Sequence, residues 1–431
     1  MSASTQFRNR AGARRRSLAE AVQHITASPL GAHQSAVVRI GVSATYLLFL
    51  LRELPHRHEL YGPDSPWRWD MARRLISNND AFTALMWSDS TIWFETVYAL
   101  TLISAALLMV GWRTRATSVL FMAGVLSLQN RSIFMGDGGD NVIHLMAIYL
   151  MLTRCARVWS LDARRAARNA AWHTDGVGRP RDVGVGRPRD VVGPVLWVVL
   201  GAFLLPATLM GGLGGTWWLP SLLWALWMGN GAWWAVNRYA PDRELRALFD
   251  VVANLAHNAA LLVIMAEVCL IYATAGWYKI QGSRWQDGTA LYYPLKLDYF
   301  TPWPELSGIL ASSALAVLVL TYATVIVQVA FPFTLFNRRV KNVLLVLMIG
   351  EHAGIAVLLG LPFFSMAMIA ADAIFLPTVF LVWLGRRVTL GRQRLFPGAA
   401  GKVRVPGRRR AEAGEEEAPR SGDGRGHTLV R

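Results

Sequence analysis

The chain has 431 residues, 53% hydrophobic and 17% charged, with 18 Trp and 2 Cys. An apolar excess sustained over hundreds of residues excludes a disordered chain and an ordinary soluble domain, and it predicts a protein that crosses a membrane several times. The net charge of +16 sits in three places: residues 1–35 carry five Arg against one Glu, residues 154–190 nine Arg against four Asp, and residues 386–431 twelve basic against five acidic residues. A nucleic-acid protein sets its basic residues on a folded face among aromatics. Here they flank apolar runs, as cytoplasmic flanks do beside anionic lipid, so no nucleic-acid partner is expected.

Read in chain order, residues 1–35 form a basic segment with no apolar core and small-residue cleavage site, so no signal peptide is expected. Ten apolar segments follow, at 36–51, 91–110, 116–128, 141–152, 191–210, 217–236, 251–277, 306–336, 340–361 and 363–383. The expected fold class is therefore all-α, a polytopic integral membrane bundle of about ten transmembrane helices over residues 36–385. The third and fourth segments are shorter than the ~20 residues that cross a bilayer, which leaves a re-entrant geometry open there. Residues 164–191 hold GVGRPRDV twice over, a solvated Gly/Pro/Arg linker, and residues 386–431 read as a basic disordered tail.

Placing the N-terminus inside brings every basic cluster to the cytoplasmic side: Arg113 and Arg115, the 154–190 loop, Arg238 with Arg243 and Arg246, Arg338 with Arg339 and Lys341, and the tail. The outer loops are then 52–90, 129–140, 211–216, 278–305 and the turn at Leu361 and Pro362. Multi-pass insertion in a bacterial plasma membrane, both termini cytoplasmic, is the expected localisation.

Ionisable groups inside apolar helices are costly and mark interior faces. Asp137, Asp140, Asn141 and His144 stand where a Gly-rich outer turn enters the fourth segment. Asp140 and His144, four apart, share a helix face and can pair, while Asp140 also suits a helix N-cap. Asn254, His257 and Asn258 lie near the inner end of the seventh segment, with Glu267 beyond them; Lys279 lies at its outer end. His257 and Lys279 are ~33 Å apart on one helix and cannot share a centre, so His257 reads as structural. Glu351 and His352 lie in the ninth segment and Asp372 in the tenth. His352 and Asp372 are each ten residues from Pro362, which sets them at one depth on antiparallel neighbours and makes a buried contact feasible. Cys155 and Cys269 have no metal-ligand spacing, GDGGD lacks the remaining positions of a calcium loop, and no metal is expected. No phosphate loop, HExxH, GxSxG or dinucleotide fingerprint occurs in a suitable context.

Three stretches, FMGDGGDNVIHLMAIYLMLTRCARVWSLDARR, AGWYKIQGSRWQDGTALYYPLKLDYF and EHAGIAVLLGLPFFSMAMIAAD, resemble landmarks of the HTTM family. This is the membrane domain shared by vitamin K-dependent gamma-carboxylases and bacterial proteins that include the SdpB-type sporulation-delaying maturation proteins. The resemblance spans roughly residues 35–377. It implies that Lys279 is similar in position to the base that starts vitamin K hydroquinone oxygenation, that His352 resembles the family's ninth-helix histidine, and that Asp140 and Asn141 correspond to a polar turn where the carboxylases have a histidine. Residues 191–236 look like an extra helical pair, and no counterpart of the large lumenal domain of animal carboxylases is expected.

The resulting expectation is a quinone pocket at the outer face, for menaquinone or vitamin K hydroquinone. Lys279, His352 and Asp140 would be the catalytic candidates. Trp277, Trp285, Tyr292, Tyr293, Asn141, His144 and Asp372 would line the site. Two rival expectations belong to other classes: a non-catalytic component that matures or exports a secreted peptide with other membrane proteins, and a transporter.

Overall fold

The structure, a computed structural model, describes residues 20, 22–173, 191–213, 217–239 and 243–395. Every regular element among the described residues is helical. The main helices are α1 (Ala32–Glu53), α2 (Thr91–Val110), α3 (Thr114–Arg131), α4 (Gly138–Leu150), α5 (Val192–Leu209) and α6 (Trp218–Tyr239). They continue with α7 (Arg243–Gln281), α8 (Pro304–Ser312), α9 (Ala314–Ala330), α10 (Arg338–Leu358), α11 (Pro362–Asp372) and α12 (Thr378–Leu395). Most of the basic N-terminal segment, the GVGRPRDV repeat and the tail beyond Leu395 lie outside the described residues.

Each expected apolar segment falls on helix, but among the described residues six helices are long and apolar enough to cross a membrane, those of α1, α2, α5, α7, α9 and α10. The bent pair α11–α12 makes a seventh when it is counted as one span. At 13 residues α4 reaches only ~20 Å, less than the bilayer core. The eighth segment is interrupted at Ser313, which leaves helical geometry and accepts a hydrogen bond from the Ala316 N–H at 3.3 Å to cap α9. The tenth is not one rod. Pro377 pushes Leu376 to φ −64, ψ 137, and α11 and α12 meet at 117°.

The loops sort onto two ends. At one end Trp87 donates to the Gly212 carbonyl at 2.9 Å, Trp67 packs edge-on against Phe134, and Arg131 donates to the Trp67 carbonyl at 2.8 Å. Residues from 52–90, 129–140, 211–213, 278–305 and the 359–361 turn all gather there. At the other end Arg39, wholly buried on α1, gives its guanidinium to the carbonyls of Leu108 and Met109 at the end of α2 and to Trp159. A cation at a helix C-terminus satisfies carbonyls that have no partner within the helix. Arg113 and Thr114 donate backbone N–H to the Asp162 carboxylate at 2.9 Å each, and Arg115 stacks over Trp233 at 3.7 Å.

The core runs through α1, α2, α3, α4, α7, α10 and α11, filled by Val38, Val42, Tyr46, Phe121, Met146, Ile264, Phe331 and Met348 among others. Helices α5 and α6 form an outlying hairpin closed by a reciprocal clasp. Trp197 and Trp227 stack with centroids 4.0 Å apart, and each indole N–H donates to the other's carbonyl at 2.8 and 2.9 Å.

Candidate functional site

Helices α7, α10 and α11 bring three buried side chains together. The turn between α10 and α11 passes through Gly360 at φ +66, and a Cβ there would come within 3.3 Å of Pro302. Glycine meets both demands. The tight reversal sets His352 and Asp372 at one depth, as their equal spacing from Pro362 implies. They do not bond directly. The Tyr272 hydroxyl of α7 stands between them, 3.0 Å from His352 Nε2 and donating to Asp372 Oδ2 at 2.9 Å. Tyr272, His352 and Asp372 are 1%, 2% and 0% exposed, so the group is sealed from solvent. His352 Nδ1, Asp372 Oδ1 and the hydroxyl of buried Ser365 have no hydrogen-bond partner among the described residues. Buried polar atoms are nearly always paired, so these atoms make the group a candidate site.

Two turns outward on the same face of α7 is Lys279. Its ammonium donates to Gln328 Oε1 of α9 at 2.8 Å, and Gln328 Nε2 donates to Glu351 Oε1 of α10 at 2.5 Å. The Lys279 nitrogen also lies 5.2 Å from the Trp285 ring centre. A cation and an anion are thus joined through one amide, with an aromatic face beside the cation. Glu351 precedes His352 in sequence, so the two groups are neighbours.

Of the expected aromatic walls, Trp285 meets Lys279. Trp277 is 60% exposed at the helix surface. Tyr292 and Tyr293 pack edge-on at 5.8 Å, and Tyr293 lies under the Arg284 guanidinium at 5.1 Å. The turn that carries Trp285 is tied by Asp287, whose Oδ1 accepts the Thr289 hydroxyl at 2.5 Å and its N–H at 3.0 Å; the hydroxyl bond, then the N–H bond, hold that carboxyl below the usual range.

A cavity of about 480 Å³ opens at the end where the loops gather. Phe49 and Arg52 of α1, Asp140 at the start of α4, Tyr299 and Phe300 of the 278–305 loop and Phe364 of α11 line it. The Arg52 guanidinium lies 4.5 Å over Phe363 and 5.2 Å over Phe49. Gly139 lets α4 meet α11 here, since a Cβ would come within 2.7 Å of Phe364 Cα. Lys279 does not line this cavity. Phe364 joins it to the buried group, because its ring packs edge-on against His352 at 5.5 Å.

The polar turn before α4 is organised differently from the expectation. Asp137, not Asp140, is the N-cap, accepting from the N–H of Gly139 and Asp140 at 2.7 and 3.1 Å. Asp140 returns a carboxylate oxygen to the Asp137 N–H at 2.9 Å and completes a capping box. That turns the Asp140 carboxylate away from His144, whose Nδ1 instead meets Gln129 Oε1 of α3 at 3.0 Å. Gln129 in turn donates to the Asp140 carbonyl at 3.0 Å. Asn141 is exposed and gives its backbone N–H to the Asp137 carbonyl.

At the other end, His257 is wholly buried, accepts the Arg154 N–H at Nδ1 (2.9 Å), and has Nε2 at 2.8 Å from the Leu30 carbonyl. Arg154 reaches Asn254 at 2.6 Å and Asp250 at 2.8 Å, and Asn258 holds residues 25–30. This is a staple between chain segments.

Sequence reasoning did not single out Tyr272, Gln328 or Phe364. Gln328 carried a usable signal, as a lone amide in an otherwise apolar stretch of α9. Among the described residues no group of three or more His, Cys, Asp or Glu is arranged to hold a metal ion. The chain matches no family model, no curated protein and no solved structure.

Proposed function

We propose that this chain is a bacterial integral membrane protein of the HTTM kind, crossing the plasma membrane about ten times with both termini inside, and that it binds a quinone-type ring at its outer face. The ring would lie among Phe49, Tyr299, Phe300 and Phe364, in a cavity whose volume suits a small aromatic ligand. His352, beneath the Phe364 ring, is the candidate proton partner, and Lys279, which stands outside the lining of this cavity, is kept as a base only on the strength of the resemblance. The observation that carries the reading is the position of Phe364, whose ring lines the cavity and covers His352. Aromatic walls outside and a buried histidine and carboxyl beneath them are the parts that ring binding with proton movement requires. The described parts of the five expected outer loops share one end, which agrees with the alternation of the spans, and the basic clusters supply the orientation.

Two measurements test it. Lipid extraction of the purified protein and mass spectrometry should find a co-purifying menaquinone, and added menaquinone should bind less tightly to Phe364→Ala. Cysteines at exposed Asp64 and Trp303 should label from outside, and at Ala167 only after permeabilisation, in a background with Cys155 and Cys269 replaced by alanine. No bound quinone together with unchanged affinity in Phe364→Ala would overturn the ligand, and the reverse labelling pattern the orientation.

A further inference from the structure

The Tyr272 hydroxyl has one proton and two neighbours that each could accept it, at 2.9 and 3.0 Å. When it donates to Asp372 Oδ2, His352 Nε2 must carry a proton and donate to the Tyr272 oxygen. When it donates to His352 Nε2, Asp372 Oδ2 must carry the proton instead. Both arrangements keep the same heavy-atom positions, and they differ only in where protons reside. We propose that Tyr272, His352 and Asp372 form a buried proton-storage site that takes up one proton at His352 Nδ1 and delivers one to Asp372 through the tyrosine hydroxyl.

The step begins with neutral His352 protonated at Nε2 and Asp372 as carboxylate. A proton from hydronium in the outer cavity, admitted as the Phe364 ring moves off His352, bonds to Nδ1 and leaves water behind. The Nε2–H bond breaks as a new O–H bond forms on Tyr272, and the original Tyr272 O–H bond breaks as Oδ2–H forms. The products are neutral His352 protonated at Nδ1, intact tyrosine and neutral Asp372. Histidine has changed tautomer, and a carboxylate buried away from water has lost its charge, which favours uptake in a low-dielectric interior. The structure leaves Nδ1 free of protein partners, as an entry atom requires, and sets Phe364 of the cavity wall beside the ring.

The charged and titratable groups around the site fix its surroundings. On α10, Glu351 is engaged with Gln328 of α9 and through it with Lys279 of α7. Cys269 lies one turn before Tyr272 on α7, within electrostatic reach of Asp372. On the α4 side Tyr149 donates to Glu267 at 3.3 Å and His144 is held by Gln129. Lys341 of α10 gives its ammonium to the Phe375 carbonyl just beyond α11. None of these makes a hydrogen bond to Asp372 Oδ1 or His352 Nδ1, so the exchange has one internal route, through Tyr272.

The inference does not depend on a quinone, and its test uses none. Full-length protein is reconstituted in lipid, and infrared difference spectra are recorded as pH is lowered, with ¹⁵N-histidine magnetic resonance on matched samples. The wild type should gain a single carboxylic-acid carbonyl band together with a change of His352 tautomer, at one midpoint. Asp372→Asn should remove the band. Tyr272→Phe, which deletes one oxygen and keeps the ring, should separate the two events or abolish the tautomer change. A band that survives Asp372→Asn, no pH-dependent band in the wild type, or Tyr272→Phe titrating as the wild type does, would each overturn the proposal. Tyr272→Phe decides the matter even where Asp372→Asn fails to fold.

Discussion

Helix α7 carries two polar clusters about 22 Å apart, counted over the fifteen residues from His257 to Tyr272. Both contain a buried histidine. At His257 each ring nitrogen has a backbone partner, and Arg154, Asn254 and Asn258 saturate the rest. At His352 and its neighbour Asp372, one ring nitrogen and one carboxylate oxygen go without among the described residues. Saturation fixes a tautomer and ties chain segments together, whereas incomplete pairing leaves protons somewhere to go. Burial of a histidine therefore says little by itself; for these two histidines the pairing of the ring nitrogens tells them apart.

The largest expected effect is at His257. His257→Ala leaves the Arg154 N–H and the Leu30 carbonyl without partners, and each orphaned buried group costs ~1–3 kcal/mol. The variant should lose about 3 kcal/mol in unfolding assays in detergent and should become sensitive to proteolysis near residues 25–31. A stability equal to wild type would mean that the inner cluster is not a staple. Asp372→Asn is the counterpart. It removes a sealed carboxyl that accepts a single hydrogen bond, so stability should change by less than ~1 kcal/mol, in either direction, while proton uptake is lost. A loss as large as that of His257→Ala would place both clusters in the same class.

A smaller effect measures how the second cluster is wired. His352 and Asp372 should couple by roughly 0.6 kcal/mol, and by no more than ~2, as polar contacts between membrane helices do. Because the contact runs through Tyr272, a cycle built from His352→Ala and Asp372→Ala should show this coupling in the wild-type background and none in Tyr272→Phe. Coupling that persists without the hydroxyl would require a direct contact between the two residues.

Much of this arrangement was legible in the sequence. Apolar runs located the helices, and the segment at 91–110 coincides with α2 to the residue. Equal spacing from Pro362 set His352 and Asp372 at one depth, because a tight turn leaves little freedom in how two helices align. What stayed hidden depended on a third helix. Tyr272 is one more aromatic in an apolar run, and only the packing of α7 against α10 and α11 turns it into a bridge. The Asp140–His144 pairing failed because a capping box is a local competitor for the carboxylate, and Asp137 two residues after Met135 wins the N-cap through its own geometry. The tenth run hid a bend of 117° because its composition stays apolar through Pro377 and only the backbone constraint of that residue breaks it.

The smallest expected effect on stability concerns Lys279, a residue that lies between the two clusters in how fully it is paired. Its ammonium has a hydrogen-bond partner in Gln328, a distant carboxylate in Glu351 and an aromatic face in Trp285, so it is better satisfied than His352. Arginine can reach the same amide oxygen and stack on the same indole, and its longer stem snorkels as readily. Lys279→Arg should therefore fall within ~0.5 kcal/mol of wild type in unfolding assays, the range of a substitution that breaks no buried feature. Chemistry would respond differently, since a guanidinium stays protonated at any usable pH and cannot take a proton from a ring hydroxyl. If Lys279 acts as a base on a bound hydroquinone, Lys279→Arg loses turnover while keeping both fold and menaquinone affinity, and Lys279→Ala loses turnover as well. If it anchors the end of α7, Lys279→Arg matches wild type in all three measurements and Lys279→Ala alone shows a loss, with Glu351 then left without its cation. Equal behaviour of all three proteins would take Lys279 out of the site and leave proton handling to the Tyr272, His352 and Asp372 group.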